Sequence, residues 1–150
     1  MAELIKHTYD VELNWDEGRQ GTLQSYKLND SIEVATPPEF PGGVDGIWSP
    51  EHLFVASVSS CFMTTFTAIA EYSKLDFEEL TVPATGLMSN ESGKFAMTEI
   101  VLQPKLIITD EDQKEKALRI LQKAEQACLI TRSIKTDVKL EPEVVVTALT

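Results

Sequence analysis

Ser49-Pro50-Glu51-His52-Leu53-Phe54-Val55-Ala56-Ser57-Val58-Ser59-Ser60-Cys61-Phe62-Met63 opens a run with no charge between Glu51 and Glu71, and its reading decides the fold. Serine, proline and an acid in succession mark a helix start. The serine oxygen can cap free N–H groups, proline suits the first helical position, and glutamate favours the positive end of the helix. The residues from His52 to about Lys74 predict a helix of about six turns, built of Ala, Ser, Thr and larger apolar residues nearly all round. A helix without a polar face needs cover on every side. In a chain of 150 residues that cover is either sheets wrapped around the helix or a partner subunit.

Upstream, residues 4 to 14 alternate in part, with Ile5, His7, Tyr9, Val11 and Leu13 on one side, and read as a strand. Asp16 to Gly21 is a turn with two glycines, and Thr22 to Leu28 and Ser31 to Ala35 complete a short β-meander. Residues 36 to 49 contain Pro37, Pro38, Pro41, Gly42, Gly43 and Gly46. That density of breakers excludes helix and marks a long ordered loop. Downstream, Leu80 to Asn90 and Phe95 to Ile108 read as two long strands joined at Asn90-Glu91-Ser92-Gly93. Thr109 to Asp112 then caps a second helix from Glu111 to Ala127, with Ala117, Leu118, Leu121, Ala124 and Ala127 at helical spacing. Cys128 ends that helix. A turn or short helix around Ile130 to Lys135 and two strands, Asp137 to Leu140 and Val144 to Leu149, follow. The order predicts one α+β domain over residues 1–150, its sheets largely antiparallel and the apolar helix at the centre.

Composition limits the function classes. An apolar fraction of 43% and a charged fraction of 25% are those of a globular chain. The net charge of -11, from 24 acidic and 13 basic residues, repels phosphate backbones and anionic lipid heads, so neither nucleic acid nor a membrane is an expected partner. The first residues lack the pattern of a signal peptide. The longest apolar stretch, Leu53 to Ala70, is interrupted by hydroxyl residues and is not expected to span a membrane. A reduced cytoplasm is the expected compartment, where two cysteines are not a structural staple by default. His7 and His52 are the two histidines; with no ligand spacing among them and the cysteines, no metal is expected.

Four residues could carry chemistry. Cys61, taken alone, reads first as a small buried hydrophobe and second as a nucleophile. For the second role it must be a thiolate, which apolar surroundings oppose, so a cation has to reach it. Arg19, in the tight Gly18–Gly21 turn, is an exposed turn residue or that cation; a guanidinium keeps its charge when desolvated. Glu51 is a helix-start acid or the bidentate holder of such an arginine. Cys128 continues an apolar face, and the carboxyl end of a helix would raise its pKa, which suits a resolving role. Glu51 and Cys61 lie about 15 Å apart along one helix, too far for one arginine to serve both easily. Two antiparallel copies of the helix would remove that difficulty.

Taken together, Ser49 to Met63, the stretch Ala124-Glu125-Gln126-Ala127-Cys128-Leu129-Ile130-Thr131-Arg132-Ser133-Ile134, and Arg19 after Gly18 resemble the OsmC/Ohr family, the osmotically inducible and organic-hydroperoxide-resistance proteins. The resemblance covers essentially the whole chain. It departs at Leu129, where typical members have proline after the second cysteine, and in the Pro/Gly-rich loop Thr36 to Trp48. It implies antiparallel sheets wrapped around the central helix and an intertwined homodimer. It further implies a thiol peroxidase that needs no cofactor. Cys61 would form a sulfenic acid with an organic hydroperoxide, Cys128 would convert it to a disulfide, and a dithiol, such as a lipoylated protein, would restore both. Arg19 would stabilise the thiolate and Glu51 orient the arginine. Two other readings stand beside this one: a non-catalytic stress or small-ligand-binding protein of the same family, and a ligand carrier lidded by Pro37 to Trp48.

Overall fold

The structure, a computed structural model, describes residues 3–147. The chain divides into two compact units, Met1–Leu53 and Phe54–Thr150.

In the first unit β1 (Glu12–Glu17), β2 (Gln20–Gln24) and β3 (Ile32–Ala35) form an antiparallel sheet in chain order. Glu17 pairs with Gln20, so the first hairpin turns on Gly18 and Arg19 alone, and Gly18 takes the positive φ of 51° that such a turn requires. The strand expected over 4 to 14 begins only at Glu12; residues 3–11 carry no regular structure. Their alternating side chains are uncovered among the described residues: Leu4, Ile5, Tyr9 and Val11 are 68–88% exposed. Beyond β3, the expected long loop is present. It ends where Trp48 bridges Val34 and its carbonyl accepts the Ala35 N–H at 2.8 Å.

Helix α1 (Pro50–Tyr72) starts as its sequence dictates. Ser49 is fully buried, its Oγ accepts the His52 N–H at 3.1 Å, and its carbonyl accepts that of Leu53 at 2.9 Å. The helix does not have cover all round within the chain. Val58, Phe62, Phe66 and Ala70 form a buried i, i+4 stripe, while Met63 and Tyr72 are exposed. By length and composition α1 would also pass for a membrane span, contrary to the expectation that its hydroxyl residues preclude one. Those hydroxyls bond back to carbonyls three residues earlier, as Ser57 to Phe54 at 2.6 Å, Thr64 to Cys61 at 3.1 Å and Thr67 to Thr64 at 3.0 Å, which masks their polarity.

The second unit packs the α1 stripe against two three-stranded sheets and a second helix, with Ile100, Leu102, Leu106, Ile108 and Leu121 in the same core. The two long strands expected here are four. β4 (Glu79–Thr81) and β5 (Ala84–Ser89) part at Pro83; β6 (Ala96–Leu102) and β7 (Lys105–Ile108) part at Pro104. Proline donates nothing to a ladder, so each strand breaks there and its halves join different sheets, ordered β4-β7-β9 and β5-β6-β8. β8 (Asp137–Leu140) and β9 (Glu143–Val146) repeat the break at Pro142 and lie parallel to β6 and β7. The expected last strand, Val144 to Leu149, runs partly outside the described residues. Across the corner the Gln103 N–H bonds the Pro83 carbonyl at 2.9 Å and the Glu143 N–H that of Pro104 at 2.9 Å, so the backbone stays satisfied. Gly86 on β5 lies tight against the helix: a Cβ there would meet Val55 Cγ2 at 2.5 Å and Met97 Cε at 2.8 Å.

A 3-10 turn, Glu111–Gln113, capped by the Asp110 carboxylate on the Asp112 N–H at 2.9 Å, leads into α2 (Lys114–Ala127). The chain then passes through Cys128 into the short helix α3 (Leu129–Arg132).

Candidate active site

The second unit brings the two cysteines together. Cys61 sits half-buried at the middle of α1, and Cys128 is 1% exposed between α2 and α3; both are free thiols. Cys128 has φ −65° and ψ 114°, a break between two helices that turns the following backbone toward α1. The amides of Leu129 and Ile130 precede the first internal hydrogen bonds of α3, in which Arg132 donates to Cys128 and Ser133 to Ile130. Left without helical partners, both favour the anion of the Cys61 sulfur.

The two thiols titrate in opposite directions. Burial pushes Cys61 up, but the Ile130 amide, the Cys128 thiol, the Thr65 hydroxyl at 4.0 Å and the Leu129 amide all favour its anion, and together hold it below an ordinary thiol. Burial pushes Cys128 up as well, and here it prevails. The Thr131 hydroxyl and amide favour the anion, while donation to the Cys61 sulfur and the charge there favour keeping the proton. The expected rise at Cys128 is present, and its largest cause is burial rather than the end of α2.

Within the second unit, the groups that favour the Cys61 anion carry no charge. Sequence reasoning missed the Leu129 and Ile130 amides because backbone groups have no signature of their own. Their position immediately after Cys128 was the available signal.

Arg19 and Glu51 lie in the first unit. Arg19 is exposed at the hairpin turn and its stem runs beside Gly42. Glu51, in the first turn of α1, has a buried Oε1 with no hydrogen-bond partner. The two do not pair; the ion pair formed among the described residues joins Lys139 to Glu99 at 2.7 Å. Ser49 Oγ and His52 Nδ1 are 2.7 Å apart, with Trp48 edge-on to the imidazole, a cap contact that fixes the helix start. An open groove of about 460 Å³ at the β3 edge is lined by Ser31, Ile32, Glu33, Gly46, Ile47 and Trp48, a mixed lining rather than the apolar pocket a ligand carrier requires.

Residues 43–143 match the OsmC-like protein family. The uncharacterized protein YmaD of Bacillus subtilis is 30% identical over 145 residues, covering 93% of this chain and 95% of its own. An OsmC-like protein of unknown function from Vibrio cholerae has a similar structure, with a TM-score of 0.82 at 25% identity over 91% of this chain and 99% of its own. An organic hydroperoxide resistance protein from Elizabethkingia anophelis aligns with a TM-score of 0.72 at 26% identity, over 95% of this chain and all of its own. With the α+β architecture, the capped central helix and the matched span in agreement, this chain belongs to the OsmC/Ohr family.

Proposed function

We propose that this chain is a thiol-dependent peroxidase that reduces organic hydroperoxides to alcohols, with Cys61 attacking and Cys128 resolving. The observation that carries the reading is the placing of two free thiols in one core, Cys61 half-buried on α1 and Cys128 buried between α2 and α3; the surroundings draw Cys61 down and push Cys128 up. The thiolate is the nucleophile. The Cys61 sulfur attacks the terminal oxygen of the hydroperoxide, the O–O bond breaks, and the departing alkoxide takes a proton from solvent to become the alcohol. Cys61 is left as a sulfenic acid. The Cys128 sulfur, on losing its proton, attacks that of Cys61; the S–S bond forms and the hydroxyl leaves as water. A dithiol then reduces the disulfide by exchange. The net reaction turns one hydroperoxide and one dithiol into alcohol, water and an oxidised dithiol.

In the same reading Arg19 stabilises the charge that develops on the peroxide oxygens, and Glu51 orients it. The buried, unpartnered Glu51 oxygen supports this, since such an atom requires a donor. An intertwined homodimer is supported by the uncovered apolar surface, including Tyr9, Trp15 and Tyr72 at 88, 74 and 89% exposure. A reduced cytoplasm would keep the recycling dithiol available.

The test is consumption of cumene hydroperoxide with dihydrolipoamide. The native chain should turn over and sediment as a dimer, and Cys61→Ser should abolish turnover. Cys128→Ser should leave sulfenic or over-oxidised Cys61 after one equivalent of peroxide. A native chain that consumes no peroxide, or a Cys61→Ser variant that keeps full activity, would remove the peroxidase assignment and favour the non-catalytic reading.

A further inference from the structure

The Pro/Gly-rich loop between β3 and α1 is folded against the hairpin turn that carries Arg19. The Thr36 N–H donates to the Arg19 carbonyl at 3.2 Å, and the Thr36 carbonyl accepts the Val44 N–H at 2.9 Å. Between these points the loop makes two tight turns, Phe40 N–H to the Pro37 carbonyl at 3.1 Å and Gly43 N–H to the Phe40 carbonyl at 3.0 Å. Gly43 lets the two limbs touch: a Cβ there would collide with the Pro37 carbonyl. Pro37 itself is buried.

The stem of Arg19 lies on this surface. A Cβ at Gly42 would stand 3.1 Å from Arg19 Nε, 3.2 Å from its Cγ and 3.3 Å from its Cδ, so the arginine runs along the bare backbone of that glycine. A free arginine side chain has many rotamers to lose. This one is exposed at its turn yet has its backbone tied by Thr36 and its stem seated on Gly42. We propose that the loop from Thr36 to Val44 is the seat of Arg19, and that Gly42 is a positioning residue that sets the direction of the guanidinium. The inference rests on the peroxidase reading for the consequence of that direction, and on the geometry alone for the seat itself.

Just beyond this loop lies a control. Gly42 has φ 79° and Gly46 has φ 77°, and a Cβ at Gly46 would meet nothing within 4 Å. Replacing either by alanine imposes the same left-handed strain, and only Gly42→Ala also pushes on Arg19. Because the contact is with a flexible stem, the arginine gives way before the loop does.

The experiment compares Gly42→Ala with Gly46→Ala. The chain has three arginines, Arg19, Arg119 and Arg132, so their Nε–H signals can be followed separately by nuclear magnetic resonance. Urea midpoints of the two variants should agree, while the Arg19 Nε–H signal shifts and its order parameter falls in Gly42→Ala only. With peroxide and dithiol, Gly42→Ala should lose about tenfold or more in kcat/KM, the scale of a misplaced positioning group, and Gly46→Ala should keep its activity. In an Arg19→Ala background the two substitutions should have equal effects on turnover. In the unaltered protein the Arg19 Nε–H should be more ordered than those of Arg119 and Arg132, which decides the matter even if a variant fails to fold. Equal Arg19 signals in the two variants, or an Arg19 as disordered as the other two, would overturn the seat. Wild-type turnover in Arg19→Ala would instead refute the catalytic use of Arg19 and leave the seat to be judged by its resonance.

Discussion

Replacing Leu129 by proline asks whether a backbone amide holds the Cys61 thiolate. Leu129 is the first residue of α3, where proline is well tolerated because the helix does not use that amide. Cys128 before it, at φ −65° and ψ 114°, already has the extended conformation a following proline imposes, and the Leu129 side chain is exposed. The substitution removes one donor from Cys61, and the ring carbon that replaces the hydrogen forces the sulfur to back away. A hydrogen bond to a charged group contributes about 1.5–3 kcal/mol. Cys61 is half-buried, water recovers part of the loss, and the Leu129 amide is the smallest of the causes that lower it, so the titration moves up by less than that. The more basic thiolate is also the better nucleophile, with a Brønsted slope of about 0.4–0.5, so a tenfold loss of thiolate slows its alkylation only about threefold. In a Cys128→Ser background, with Cys61 the sole thiol, ultraviolet absorbance of the thiolate and the rate of alkylation by iodoacetamide are followed across pH. Leu129→Ala loses the side chain and keeps the amide. The proline variant should titrate at higher pH than the alanine variant and react more slowly at neutrality. Coincident titrations would refute the amide as a holder of the thiolate.

Two further outcomes test the packing and electrostatics around the pair. Gly86→Ala drives a Cβ to within 2.5 Å of Val55 Cγ2 and should cost about 1–3 kcal/mol of stability, as overpacked cores do; adding Val55→Ala should recover part of it, and strictly additive urea midpoints would deny the contact. Glu125, in the last turn of α2, has its carboxyl raised first by burial and then by Asp137. A carboxyl with a raised folded pKa contributes stability that is full below its unfolded pKa and lost as pH rises through the folded value. Glu125→Gln should therefore unfold at higher urea than the native chain at pH 7, with the advantage fading as pH falls through the carboxylate range. An advantage independent of pH would show that its charge is not the cause.

The parts of this fold that depend on neighbouring residues were legible. Ser49-Pro50-Glu51 fixes the start of α1 through contacts within four positions, and the amphipathic spacing of α2 needs only the helix itself. Two features misled for physical reasons. Apolar alternation through Leu80–Asn90 and Phe95–Ile108 concealed the effect of Pro83 and Pro104, although a proline inside a strand argues against ladder continuity. The alternation over residues 4 to 14 is real, but periodicity says which side a strand would bury and not what buries it, and among the described residues these side chains stay exposed. The approach of Cys128 to Cys61 depends on the whole second unit and was visible only through family resemblance.

The same distinction separates the four candidate residues. From the sequence, a cysteine in the middle of an apolar helix needed a cation to become a thiolate, and that demand selected Arg19. Within the second unit two amides, a hydroxyl and the neighbouring thiol favour the Cys61 anion, because the break at Cys128 leaves the first amides of α3 without helical partners. This neutral set does not stabilise an anion at Cys128, whose own thiol belongs to it, and in the proposed cycle it sets the order of attack. In the proposed cycle Arg19 acts instead on charge that appears only during the reaction, on the peroxide oxygens, where a seated guanidinium would stabilise the transition state more than the ground state. That division of labour makes a specific demand: Arg19→Ala should lower turnover while leaving the pH titration of Cys61 in place, and a Cys61 titration that rises in Arg19→Ala would return the arginine to the resting thiolate.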